Sequence, residues 1–117
     1  MSLSLKQQRF VMCISKLLNY IHSKNYAVTF GDAYRDPRIH GDFGFNKNKS
    51  YSAKKSVHKL RLAVDFNLFV NGKYIQDGNH LVWKELGEYW ESLDPDARWG
   101  GRFKDANHFS FIHWECQ

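Results

Sequence analysis

Cysteine and proline are scarce in this 117-residue chain, which holds two of each. Two cysteines do not make a disulfide framework. Cys13 falls inside an expected helix and Cys116 lies next to the last residue, so both read as free thiols of a reducing compartment. No apolar run is long enough to cross a bilayer, so membrane insertion is not expected. No charged-then-apolar segment with a small-residue cleavage site opens the chain, which argues against a classical secretory signal. Internal repeats, low-complexity tracts and interdomain linkers are all missing, so residues 1–117 are expected to form a single domain. There is no acidic excess either. Seventeen Lys and Arg against twelve Asp and Glu give a net charge of +5. That balance favours an anionic partner: nucleic acid, a membrane surface, or an acidic polymer such as a bacterial cell wall. Charge alone does not choose among them.

What is present fits a folded domain. Apolar residues make up 43% of the chain and aromatics 16%, too many for a disordered segment. A chain of this length buries a usable core without disulfides. Phe10, Ile14, Leu17 and Ile21 recur at helical spacing and predict a helix over about 5–23, with Ser4 and Gln7 as a capping box. A strand is expected from Tyr26 to about Gly31. The polar stretch RDPRIHGDFGFNKNKSYSAKKS then reads as a long loop, and long loops in small domains are usually functional. Two β-prone segments flank Asn71-Gly72, a hairpin signal. A second helix follows in NHLVWKELGEYWESL, with Val82, Leu86, Tyr89 or Trp90, and Leu93 inward, and Asp94-Pro95 as its stop. Phe10, Trp83 and Trp90 suit helix core faces. DPDARWGGRFKDAN reads as a loop, and HFSFIHW as a final strand. The predicted class is α+β, helices packed on a small antiparallel sheet.

The polar residues worth weighing are few. Hydrolytic zinc takes three protein ligands and keeps one position open. His58 and Asp65 are seven apart, so on one regular strand they would point to opposite faces. They share a site only if the chain bends between them. His108 and His113 are five apart, so one of them faces away. His108 has the better setting, because Asp105 lies three residues before it and an acid beside an activated water is a candidate general base. His113 reads more simply as a core histidine, and His40 and His80 have no supporting pattern.

The segment SVHKLRLAVD, with Ser56, His58, Ala63 and Asp65, resembles the S-x-H-x-x-G-x-A-x-D motif of the LAS-type zinc peptidases, the VanY/VanX and D-Ala-D-Ala carboxypeptidase clan. DANH resembles the acid-x-x-His motif that closes the site in that clan. WGGRFKDANHF is similar to the ending of its phage endolysin branch, the L-alanyl-D-glutamate peptidases. GDAYRD resembles the strand-ending segment that supplies a catalytic arginine. The resemblance implies a Hedgehog/D,D-peptidase-like zinc peptidase fold. It implies Zn2+ held by His58, Asp65 and His108, with Asp105 as general base and Arg35 holding the oxyanion. It also places Ser56 and Trp99 in supporting or substrate-binding positions. It implies a monomer that hydrolyses the L-Ala–D-Glu bond of peptidoglycan, made in a host cytoplasm and released by a holin-type pore. The chain departs from the pattern twice: Arg61 replaces the motif glycine, and Ser110 stands where Glu often follows HF. The nearest rival is a D,D-carboxypeptidase or dipeptidase on the same scaffold. A basic nucleic-acid-binding module or metal nuclease, using Lys47, Lys49, Lys54, Lys55 and Lys59, is the rival of another class. No recognisable nucleic-acid motif supports it, and no nucleic-acid partner is expected.

Overall fold

The computed structural model describes residues 2–31 and 60–113. The long polar loop lies outside the described residues. Helix α1 (Leu3–Ser23) buries Phe10, Cys13, Leu17 and Ile21. Ile14 packs only at the margin of that face. The expected capping box does not form. Ser2 caps instead, its Oγ accepting from Leu5 N–H at 3.2 Å, so the helix starts two residues earlier. Gln7 is thereby free to donate from Nε2 to Leu60 O at 2.8 Å, which ties α1 to the turn entering the central strand.

Strand β1 (Tyr26–Phe30) pairs antiparallel with β2 (Ala63–Val70), and β2 turns back into β3 (Lys73–Ile75). Asn71 (φ 54°) and Gly72 (φ 76°) make the two-residue turn with both φ angles positive, as that hairpin requires. Helix α2 (Leu81–Leu93) buries Val82, Trp83, Leu86, Gly87 and Trp90. Its N-cap is His80, whose Nδ1 accepts from Val82 N–H at 3.1 Å. Of the two candidates at Tyr89 and Trp90, Trp90 takes the core position. Its Nε1–H is shared by Arg98 O and Ser110 O at 3.1 Å each. Tyr89 stacks on Tyr20 instead, with ring centroids 4.1 Å apart.

The stretch after α2 is not loop throughout. Ala97–Trp99 forms strand β4, a 3-10 turn covers Gly100–Phe103, and β5 follows at His108–Phe111. Three residues carry too little periodicity for β4 to be predicted; pairing with β5 and the Trp90 indole define it. The strand order is β1-β2-β5-β4, with β3 beside β2. These pairings confirm the α+β class expected from the sequence.

Strand alternation assigns the two faces of the sheet. Phe66 and Leu68 of β2 and Phe109 and Phe111 of β5 join the core formed with Phe10, Leu17, Leu86 and Trp90. Asp65 and His108 alternate with them and point to the other face. In the N-terminal half of α1, the Arg9 guanidinium grips the Asp94 carboxylate and reaches Asp96. Burial would raise the Asp94 carboxyl, but Arg9 and the Asp96 N–H outweigh it and hold it below its ordinary range. No helix among the described residues is long and apolar enough to cross a membrane.

Candidate active site

Asp65 sits in the middle of the sheet, directly opposite His108. Its carbonyl accepts from Gly31 N–H (2.8 Å) on the β1 side, while Phe66 N–H donates to Asn107 O (2.9 Å) on the β5 side. Asp65 and His108 are therefore a non-hydrogen-bonded pair, the kind in which facing side chains come closest. His108 Nδ1 lies 2.9 Å from Asp65 Oδ1. The Asp65 side chain is 1% exposed and that of His108 12%. A carboxylate this buried is uncommon without a charged or metal partner.

The turn that presents His108 is tightly made. Asp105 N–H donates to Gly100 O (2.9 Å), and His108 N–H donates to Asp105 O (3.0 Å). The three-residue spacing of DANH is thus one closed turn, with Asp105 at its start and His108 at its end. A Cβ on Gly100 would stand 2.4 Å from Asp105 O and 2.8 Å from His108 Cβ, so only glycine permits this approach. Behind the turn, the buried Trp99 indole donates from Nε1 to Ala106 O at 2.7 Å. Trp99 N–H donates in turn to Glu91 Oε2 (3.0 Å), and Arg102 donates to the same carboxylate. Burial raises the Glu91 carboxyl, but the Arg102 contacts and the Trp99 N–H prevail and leave it lowered. Trp99 therefore braces the turn from inside rather than facing open solvent.

On the incoming side, the bend required between His58 and Asp65 has a local counterpart. Residues 60 and 61 form a turn immediately before β2, and Arg61 has φ 57°. This is the left-handed region that glycine occupies freely and other residues at a cost. Arg61, at the position of the motif's glycine, holds this conformation without being glycine. His58, Ser56 and Arg35 lie outside the described residues. Of the seven residues singled out from the sequence, Asp65, Asp105, His108 and Trp99 are brought into one neighbourhood.

Among the described residues no three His, Cys, Asp or Glu side chains cluster as a complete metal site. The pair that is described suits zinc in the chemistry of its donors, while its 2.9 Å separation is that of a direct hydrogen bond. A carboxylate oxygen and an imidazole nitrogen both ligate it, and two ligands of a tetrahedral site stand about 3.3 Å apart for bonds of about 2.0 Å.

The model of the D-alanyl-D-alanine carboxypeptidase family matches residues 50–111, more than half of the chain. This chain belongs to that family. No curated protein matches the chain. Membership in the D-alanyl-D-alanine carboxypeptidase family makes the chain a VanY-like metallopeptidase, of a kind that generally depends on zinc. The matched segment spans Ser56, His58, Asp65, Asp105 and His108 and leaves out Arg35. Gly100, Glu91 and Gly31 were the supporting residues least visible beforehand. The WGG string pointed to Gly100 only by resemblance. Nothing in the sequence joined Glu91 to Trp99, or Gly31 to the strand carrying Asp65, where a Cβ would lie 3.3 Å from Asp65 Cβ.

Proposed function

We propose that this metallopeptidase cuts the stem peptides of bacterial peptidoglycan, at the L-Ala–D-Glu bond in the manner of a phage endolysin. The observation that carries the reading is the buried Asp65–His108 pair closed by the Asp105 turn, inside a segment that matches the family. His58, Asp65 and His108 would hold the metal. When bound, zinc supplies Lewis acidity at this place. Asp105 takes the proton of the attacking water and returns it to the departing amine nitrogen, so one carboxyl serves as base and then as acid. Arg35 donates hydrogen bonds to the scissile carbonyl oxygen as negative charge develops on it. Ser56 supports a ligand or the substrate, and Trp99 fixes the turn that aims Asp105. The net charge of +5 suits an anionic wall polymer. The chain acts as a monomer without nucleic acid, and reaches the wall from a host cytoplasm through a holin-type pore.

Mass spectrometry of products from purified peptidoglycan tests the assignment. New N-terminal D-Glu is the expected result. Released D-Ala with no new D-Glu terminus would transfer the chain to the D,D-carboxypeptidase alternative.

A further inference from the structure

One edge of β2 changes partner along its length. Residues 63–65 pair with β5 and residues 68–70 with β3. A groove of about 500 Å³ opens where the two partners part, with Phe66, Asn67, Tyr74, Lys104, Asp105 and Asn107 in its lining. Asp105, the proposed acid and base, is therefore part of its wall.

Among the described residues of that lining, Lys104 is the one cation. Its side chain is exposed and its backbone is fixed, because the N–H donates to Gly101 O at 3.3 Å and φ is 64°. The left-handed conformation disfavours lysine relative to glycine or asparagine. No ion pair holds the ammonium among the described residues.

We infer that Lys104 reads the free α-carboxylate of the amino acid whose amine leaves. The inference rests on the peptidase reading above, in which Asp105 protonates that amine. In such a leaving group the α-carboxylate is attached to the same carbon as the departing nitrogen. A carboxyl that serves the nitrogen therefore lies beside the α-carboxylate, in a groove that Lys104 also lines. Both peptide bonds under consideration share this chemistry. The D-Glu of a stem peptide continues through its side-chain carboxyl and keeps its α-carboxylate free, as a terminal D-Ala does. Lys104 thus selects an anionic leaving residue over an amidated one, with a charge-assisted hydrogen bond as the means.

Two synthetic stem peptides test this, alike except for an α-carboxylate or an α-carboxamide on the leaving residue. The full wild-type chain is expected to favour the carboxylate about ten-fold in kcat/KM, mostly through KM, the value of one charge-assisted hydrogen bond at a partly solvated site. Lys104→Met and Lys104→Asn should bring the ratio near one, with asparagine tolerating the backbone. Lys104→Arg should keep most of it. Titration calorimetry with the leaving-side peptides supplies a readout independent of cleavage, and the same order of affinities is expected. Binding discrimination by a chain that cuts neither bond would overturn the reaction and leave the Lys104 assignment standing. Cleavage with full carboxylate preference in the Met and Asn variants would overturn the assignment alone. No preference in either assay would overturn it as well.

Discussion

Replacing Gly87 by alanine should destabilise this protein, although the same change within a helix ordinarily stabilises. Gly87 lies in α2, where helix propensity alone favours alanine by about 1 kcal/mol. The new Cβ would stand 2.0 Å from Trp99 Cδ2 and 2.4 Å from Cγ and Cε3. Ordinary contact requires the indole to retreat by roughly 1.5 Å, and overpacking of this kind costs about 1–3 kcal/mol. Retreat is obstructed, because Gly101 also packs on the ring and a Cβ there would be 2.1 Å from Trp99 Cζ2. Movement also endangers the buried Nε1–H bond to Ala106 O, a further loss of about 1 kcal/mol. The net expectation is a loss of about 1–3 kcal/mol, read as a urea midpoint lowered by about 1 M. Activity should fall further than stability, since the ring supports the turn bearing Asp105. In a Trp99→Leu background the obstacle is smaller, and Gly87→Ala should become neutral or stabilising. An unchanged or higher midpoint in the wild-type background, or the same loss in both backgrounds, would refute the packing argument.

Arg61→Gly should stabilise by about 0.5–1 kcal/mol, because it relieves the left-handed φ at some cost in unfolded-chain entropy; Arg61→Ala should not. Thermal melts of the two variants check this. His58→Ala and Asp65→Ala should lose bound zinc by elemental analysis, whereas Asp105→Ala should retain zinc and lose wall-lytic activity by about 100-fold or more. A zinc-free wild type with full activity would sink the metal assignment. Asp94 has its folded pKa lowered, so its contribution is complete above its unfolded pKa of about 3.9 and disappears as pH falls through the lower folded value. Asp94→Asn should therefore cost about 1 kcal/mol at pH 7 and make the loss of stability below about pH 4 shallower, measured by urea midpoints at several pH values.

The elements with a strong period or a strong turn signal were legible in the sequence. The four-residue recurrence in α1, the Asn71-Gly72 turn and the Asp94-Pro95 stop all express local physics, and they lie where that physics puts them. β4 was not legible, because three residues acquire strand character only from Phe109, Ser110 and Phe111 beside them. The cap at Ser2 shows a similar limit: Ser4 with Gln7 was the local expectation, whereas Gln7 reaches the distant Leu60 carbonyl. At the site, residue types and motif order identified candidates but gave no distances. The Asp65–His108 meeting depends on register across two strands, which no spacing within either strand encodes. A bend between His58 and Asp65 was expected from their seven-residue offset; His58 lies outside the described residues, and what is seen is a turn at residues 60 and 61 with Arg61 at positive φ.

The ties that close this molecule run between parts synthesised far apart in time. Asp65 meets His108 across 43 residues, and Arg9 meets Asp94 across 85. The central strand β2 acquires β1 and β3 early, but its β5 partner leaves the ribosome only after residue 111 has been made. Such long-range closures slow folding, since loop entropy is lost before the contacts are gained. The Asp65–His108 pair consequently cannot exist on a shorter nascent chain. Until β5 is made, the Asp65 carboxylate therefore lacks its His108 partner.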